Sequence, residues 1–289
     1  MRIGWIGVGL MGHPMLERVV NAGHEVTLFT RSGHPATLEA EVEVASTLAE
    51  LVRDSDVIVT IVGGPQDVQD LYFSEQGLLA AADSGQLFVD MTTSSVGLAE
   101  RLGASAAERG VEMLDAPVSG GPYGAEAGTL SIMVGGSVSG FKRATPLFEH
   151  LGRVVVHHGG NGSGQAAKLV NQLMVAAVTE ACAEGHLLAR EVGLDLSKLS
   201  QSIAAGAAGS SLAQFLFDRL GRDDATPGFK ISHLRKDLTL LLDEAERQQL
   251  TLPLAEMARD AALEAESLRG GDVGTQLIGA RSGLRHGDR

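Results

Sequence analysis

The chain has a single cysteine, Cys182, in 289 residues, which excludes an internal disulfide and fits a reducing compartment. Cys182 falls inside an apolar helical stretch and reads as a core residue. Aromatic residues make up only 4% of the sequence, and 23 Lys and Arg face 36 Asp and Glu, a formal net charge of -13. That shortage of positive charge argues against a nucleic-acid backbone or an anionic membrane as partner. Any anion the protein binds must be held by local dipoles and a few cations. No stretch of about 18 apolar residues is free of charges or amides, and Met1-Arg2-Ile3-Gly4 runs directly into a strand pattern without a secretory signal. A cytoplasmic protein is expected. The nine histidines are scattered, and none pairs at a metal-binding helical spacing. His157 and His158 are neighbours on a strand and point to opposite faces, so no metal site is expected.

What is present is ordinary globular material, 44% hydrophobic and 20% charged, in a strongly patterned order. The first half alternates β-branched runs, at 2–8, 25–30, 57–62, 87–91, 111–114, 130–134 and 154–157, with segments of helical length. Such alternation predicts βαβ units and a mostly parallel sheet covered on both faces. The character changes at Gly159-Gly160-Asn161-Gly162-Ser163-Gly164, beyond which helical segments follow at 164–192, 195–206, 230–249 and 253–268. The reading is an α/β fold with two domains. Residues 1–162 form the sheet domain, and residues 163–289 form an all-helical domain that opens with a long interdomain helix.

Directly after the first strand comes Gly7-Val8-Gly9-Leu10-Met11-Gly12, a GxGxxG that opens a helix. The glycines permit a tight turn, close approach of the backbone to a pyrophosphate and close packing of helix on strand, while the helix N-terminus offers free N–H groups. In this setting the motif predicts a Rossmann-type dinucleotide-binding domain, with Val62 and Gly63 at the end of the strand 57–62 in the same cofactor set. The second strand ends in Thr30-Arg31-Ser32 with no carboxylate before Glu39. An NAD-selective site usually places an acid there; a guanidinium flanked by hydroxyls suits a 2′-phosphate. NADP(H) is therefore the expected cofactor, with NAD(H) as the alternative if Arg31 merely stacks on adenine.

Two further segments carry chemistry. Asp115-Ala116-Pro117-Val118-Ser119-Gly120-Gly121-Pro122 follows a strand, and its backbone N–H groups at Ser119, Gly120 and Gly121 suit a carboxylate cradle, though a plain glycine-rich turn has the same composition. In the helix 164–192, Gln165, Lys168, Asn171 and Gln172 share one face, while Val170, Leu173, Met174 and Val175 around them predict burial. A buried lysine is costly unless it is used or its amine reaches solvent. Its place in the first turns of a helix and its burial both disfavour the charged amine, which suits a proton donor.

These motifs, together with Ala127-Gly128-Thr129-Leu130-Ser131-Ile132-Met133-Val134-Gly135-Gly136 and Lys236-Asp237-Leu238, occur in the order found in a known family. From residue 2 to about 280 the chain resembles the β-hydroxyacid dehydrogenases, which include 3-hydroxyisobutyrate dehydrogenases, tartronate semialdehyde reductases and succinic semialdehyde/glyoxylate reductases. The resemblance implies a reversible hydride transfer between a nicotinamide and a short semialdehyde or oxo acid and its hydroxy acid. It makes Lys168 the catalytic general acid and base, gives the substrate carboxylate and hydroxyl to Ser119, Gly120, Gly121 and Asn171, and sets Thr93 and Lys236 beside the nicotinamide. Gln172 stands where many members have asparagine, and a longer amide trims the pocket. By pattern alone Lys236 is a solvated surface lysine. An imine reductase-like enzyme and a non-catalytic NADP-binding scaffold are the rival readings, and Lys168 with the intact Ser119-Gly120-Gly121 turn argues against both. The partners implied are a small-molecule carboxylate and a second copy of the chain, as homodimer or homotetramer, because so long an apolar helix needs cover along its length.

Overall fold

A computed structural model describes residues 1–30, 42–222, 224 and 226–279. The chain divides into two compact units, Met1–Lys168 and Leu169–Arg289.

The first unit runs β1 (Arg2–Ile6), α1 (Gly12–Asn21), β2 (Glu25–Phe29), β3 (Glu43–Val44), α2 (Leu48–Arg53), β4 (Val57–Thr60), α3 (Pro65–Phe73), α4 (Leu78–Ala81), β5 (Leu87–Asp90), α5 (Val96–Ala107), β6 (Glu112–Asp115), β7 (Val118–Ser119), α6 (Gly121–Ala127), β8 (Leu130–Gly136), α7 (Val138–Leu151) and β9 (Gly152–Gly159). Among the described residues these strands form one nine-stranded sheet in the order β3-β2-β1-β4-β5-β6-β8-β7, with β9 paired to β8. From β3 to β6 all pairings are parallel. This part has the doubly wound order, with its switch point between β1 and β4. All four residues of β4 and of β5 are buried, which is why each opens with three apolar residues in a row rather than alternating. Trp5, Leu28 and Val89 pack against Leu16 and Phe148 on one face, and Ile58 and Phe88 against Leu51, Tyr72 and Leu102 on the other. Each such side chain contributes on the order of 1.5–3 kcal/mol by burial.

The sheet departs from the parallel expectation at its far end, where β8 runs antiparallel to both β6 and β7. Only residues 120–129 separate β7 from β8, fewer than the dozen or more that a parallel crossover needs. The chain therefore doubles back.

Helix α8 (Ser163–Glu191) starts in the first unit and continues in the second. The division falls inside it, a little beyond the glycine run where the sequence places it, because its first turn packs on the sheet. A Cβ at Gly164 would collide with the carbonyl oxygens of Asp115 and Met133. The second unit adds α9 (Leu196–Ala205), α10 (Ser211–Leu220), α11 (Ile231–Arg247), α12 (Pro253–Arg269) and a 3-10 turn at Thr275–Gly279. The sequence pattern does not single out α10, which the Ser210 hydroxyl caps by accepting the Ala213 N–H at 3.0 Å. In this unit Leu234 and Leu238 of α11 pack with Ala258, Ala262 and Ala265 of α12.

Candidate active site

The motif glycines lie where β1 hands over to α1. Gly7 has φ +108°, a conformation L side chains rarely adopt, and a Cβ there would collide with the Ile61 carbonyl. A Cβ on Gly12 would strike the Gly7 carbonyl, whereas above Gly9 there is nothing within 4 Å. The turn is tight, the helix packs close and the middle glycine leaves its backbone open. The first turn of α1 has no acidic residue, and Met11 at its cap makes no side-chain hydrogen bond. A helix start with no side-chain cap and no acidic residue, beside an open glycine backbone, fits a dinucleotide pyrophosphate. Val8 and Met11 pack on the core, and Leu10 is exposed. Thr30 follows β2; Arg31 and Ser32 lie outside the described residues.

At the same edge of the sheet, the segment after β5 is held from several sides. The Asp90 carboxylate accepts the Thr60 hydroxyl at 2.8 Å and the Thr92 N–H at 3.2 Å. The Thr92 hydroxyl accepts the Val62 N–H at 3.0 Å, joining the Val62-Gly63 segment to the residue beside Thr93. The Gln165 amide of α8 donates to the Thr92 carbonyl at 2.7 Å and accepts the Ser94 N–H at 2.9 Å. At the end of β6, one carboxylate oxygen of Asp115 accepts the Gly162 N–H at 2.8 Å and the other the Gln165 N–H at 2.9 Å. Asp115 thus caps the helix that carries Lys168. Burial raises Asp90 and Asp115 each to about 6, against the hydrogen bonds that favour their charged forms.

Asp115 also leads into the predicted cradle. Ser119 faces Ser131 across the β7–β8 pair, and Gly120 and Gly121 take φ +138° and +64° as α6 begins. Such a backbone is readily reached only by glycine. Lys168 is 6% exposed, so its amine is not a surface group.

In the second unit Gln172 is buried between two partners. Its oxygen accepts from the Asn171 amide at 2.8 Å, and its nitrogen donates to Asp237 at 2.6 Å. Lys236 stands 3.2 Å from the other oxygen of Asp237 and keeps about a quarter of its side chain exposed. The solvated lysine of the sequence pattern is therefore half-sheltered and ion-paired. Its neighbour Asp237, buried on α11, links it to Gln172.

Sequence reasoning saw Gln165 only as one member of a polar stripe and gave Asp115 and Asp90 no role. Their partners lie 71 and 50 residues away for Gln165 and Asp115, beyond the reach of periodicity. The one local signal was polarity inside an apolar frame: Asp at the end of two buried strands and an amide on a buried helix face.

This arrangement is that of a nicotinamide-dinucleotide oxidoreductase, and comparison with known proteins gives the family. Residues 2–160 match the NAD binding domain of 6-phosphogluconate dehydrogenase, and residues 162–280 match the model described as NAD-binding of NADP-dependent 3-hydroxyisobutyrate dehydrogenase. The chain is 39% identical over 280 residues to probable 3-hydroxyisobutyrate dehydrogenase-like 1, mitochondrial, of Arabidopsis thaliana, covering 96% of this chain and 84% of that one. It is 38% identical over 254 residues to 2-hydroxy-3-oxopropionate reductase of Escherichia coli, 88% and 87% covered. The structure of Mycobacterium tuberculosis 3-hydroxyisobutyrate dehydrogenase with L-serine superposes with TM-score 0.87 at 33% identity, over 96% of this chain and 98% of that one. Imine reductase structures share the fold alone, at 18 to 21% identity. The chain belongs to the β-hydroxyacid dehydrogenase family: it is an NAD(P)-dependent oxidoreductase acting on the CH–OH group of its donor.

Proposed function

We propose that the protein interconverts a short semialdehyde or oxo acid and its hydroxy acid, with NADP(H) preferred over NAD(H) and Lys168 as general acid and base. The observation that carries this reading is a lysine amine buried one turn beyond the Asp115 cap, on the helix that Gln165 ties to the Thr92–Ser94 segment. The bound nicotinamide supplies or accepts the hydride. As hydride reaches the carbonyl carbon, negative charge grows on its oxygen, and Lys168 donates a proton there; in the reverse direction it removes the hydroxyl proton. Ser119, Gly120 and Gly121 hold the substrate carboxylate, and Asn171 holds the reacting oxygen. Gln172 orients Asn171 from behind. Thr93 and Lys236 border the nicotinamide. The relatives named for 2-hydroxy-3-oxopropionate and 3-hydroxyisobutyrate, and the one determined with L-serine, support a substrate of three or four carbons with a carboxylate.

NADP(H) is supported by the sequence Thr30-Arg31-Ser32, with no carboxylate before Glu39, and by the match to an NADP-dependent family model. kcat/KM for NADPH should exceed that for NADH by at least about tenfold, roughly 1.4 kcal/mol. An equal or reversed preference would refute the assignment of Arg31 to the 2′-phosphate. No helix among the described residues is long and apolar enough to cross a membrane. A cytoplasmic homo-oligomer with no nucleic-acid or membrane partner completes the proposal.

NADPH oxidation measured over succinic semialdehyde, tartronate semialdehyde, glyoxylate and methylmalonate semialdehyde tests the reaction. On the best of these, Lys168→Ala should lower kcat about 10²–10⁴-fold while NADPH still binds. Turnover within a few fold of the parent protein would remove Lys168 from the chemistry.

A further inference from the structure

The buried side chain of Gln165 is unassigned by the reaction just described, yet it occupies the junction of the machinery. It is fully buried. Its two amide atoms bracket Thr93: the nitrogen donates to the carbonyl of residue 92, and the oxygen accepts the N–H of residue 94. A primary carboxamide presents donor and acceptor on one rigid plane, so it pairs with this segment as a neighbouring strand would. Its own backbone N–H donates to Asp115, whose other oxygen holds Gly162. On the opposite side Thr92 is pinned by Asp90, itself held by Thr60, whose hydroxyl meets the Tyr72 hydroxyl at 3.0 Å. Three residues further along α8, on the same face, stands Lys168.

We propose that Gln165 is a positioning residue of the hydride-transfer site, clamping the Thr92–Ser94 segment to the first turn of α8 so that Thr93 and Lys168 keep a fixed separation. This rests on the roles given to Thr93 and Lys168 above. The geometry favours a positioning function over mere packing, because Gln165 touches the backbone on both sides of Thr93 from the helix that carries the proton donor. An apolar residue of similar size would fill the space and leave the Thr92 carbonyl and Ser94 N–H without Gln165 as partner. The reacting groups would then be free to drift, and displacement on the ångström scale costs about 10²-fold in rate.

The test uses full-length Gln165→Leu and Gln165→Glu with NADPH and the aldehyde best turned over in the screen. Gln165→Leu should lose 10- to 100-fold in kcat with KM for the aldehyde and Kd for NADPH within about threefold of the parent protein. Amide exchange in the cofactor-free protein should speed up at Ser94. Gln165→Glu keeps the acceptor for Ser94 but turns a carboxylate oxygen toward the Thr92 carbonyl. Only its protonated form restores the donor. The ratio of its kcat to that of the parent protein should therefore rise as pH falls from 8 to 5, the flanking Asp90, Asp115 and Lys168 being common to both proteins. A folded Gln165→Leu with kcat within twofold of the parent, even if its melting point drops, overturns the proposal. Should that variant not fold, a Gln165→Glu ratio that is flat with pH overturns it equally. Lys168→Ala separates the two readings: if it retains turnover the site assignment fails, whereas if it is inactive and the Gln165 variants are not, only the clamp fails.

Discussion

The two units fill their cores with different proportions of large and small residues. In the first, large side chains fill both faces of the sheet: Trp5, Leu16, Ile58, Phe88 and Phe148 are essentially inaccessible. In the second, much of the core is alanine, with Ala176, Ala183, Ala258, Ala262 and Ala265 against Leu234 and Leu238, while Val170, Met174 and Leu188 of α8 are 61%, 64% and 66% exposed. Alanine faces let helices approach closely. The large residues of the same helix point away, at spacings that keep Val170 and Met174 on one stripe and return to it near Leu188. The sequence predicts a largely buried helix that takes part of its cover from a second copy; within one chain it is buried on one side only. A helix with apolar residues on both sides is built for cover from two directions, and this supports the proposed second copy.

The comparison breaks first at assembly, where the largest effect is expected. The double substitution Met174→Asp with Leu188→Asp should convert an oligomer into a species near 30.1 kDa by light scattering on a sizing column, because two buried charges at an interface are strongly unfavourable. A parent protein already at single-chain mass at micromolar concentrations would end the argument. Next comes the packing contrast. Leu87→Ala empties a fully buried site in the sheet and should cost about 2–5 kcal/mol. Ala262→Leu overfills an alanine contact and should cost about 1–3 kcal/mol. Urea unfolding of each variant decides it, and if Ala262→Leu were neutral the helical unit would not be closely packed.

How far the sequence revealed this molecule depended on the range of the interaction. Strand and helix positions in the first half followed from apolar runs and the GxGxxG, since adjacent residues specify them. Gly7, Gly9 and Gly12 were readable because each does something local. The antiparallel turn-back at β8 is not legible in the apolar runs, because it depends on a connection after Ser119 that is too short for a crossover. Helix α10 was missed because the polar and small residues preceding it, Gly206 to Ser210, weakened the periodicity around it. In the site, Lys168 stood out as a cation in an apolar frame. Asp115 and Gln165 did not, because their meaning lies in partners brought by the fold from distant strands.

The smallest effect separates the units by their buried carboxylates. Asp90, at the end of β5, is raised to about 6 by burial, with Asp115 nearby raising it further. In the unfolded chain it titrates near 3.8. Between those values the folded protein holds a proton that the unfolded chain has released, so stability falls as pH rises from about 4 to about 6. Above that range the charged form is less stable than a neutral one by on the order of 3 kcal/mol. Asp90→Asn keeps an oxygen to accept from Thr60 and Thr92 and removes the charge. Its stability relative to the parent protein should be near zero at pH 4 and about 1–3 kcal/mol favourable at pH 8. Asp115→Asn should not gain in this way, because both oxygens of Asp115 accept backbone N–H groups and an amide nitrogen would face one of them, at about 1–3 kcal/mol. In the second unit Asp237 stands beside Lys236 and accepts from Gln172, so Asp237→Asn loses the ion pair, turns an amide nitrogen toward one of these donors and should cost about 1–3 kcal/mol. Unfolding of the three variants at pH 4 and pH 8 gives the answer. If Asp90→Asn and Asp237→Asn shifted stability with the same sign at pH 8, the contrast between a carboxylate buried among neutral donors and one buried beside a cation would be lost.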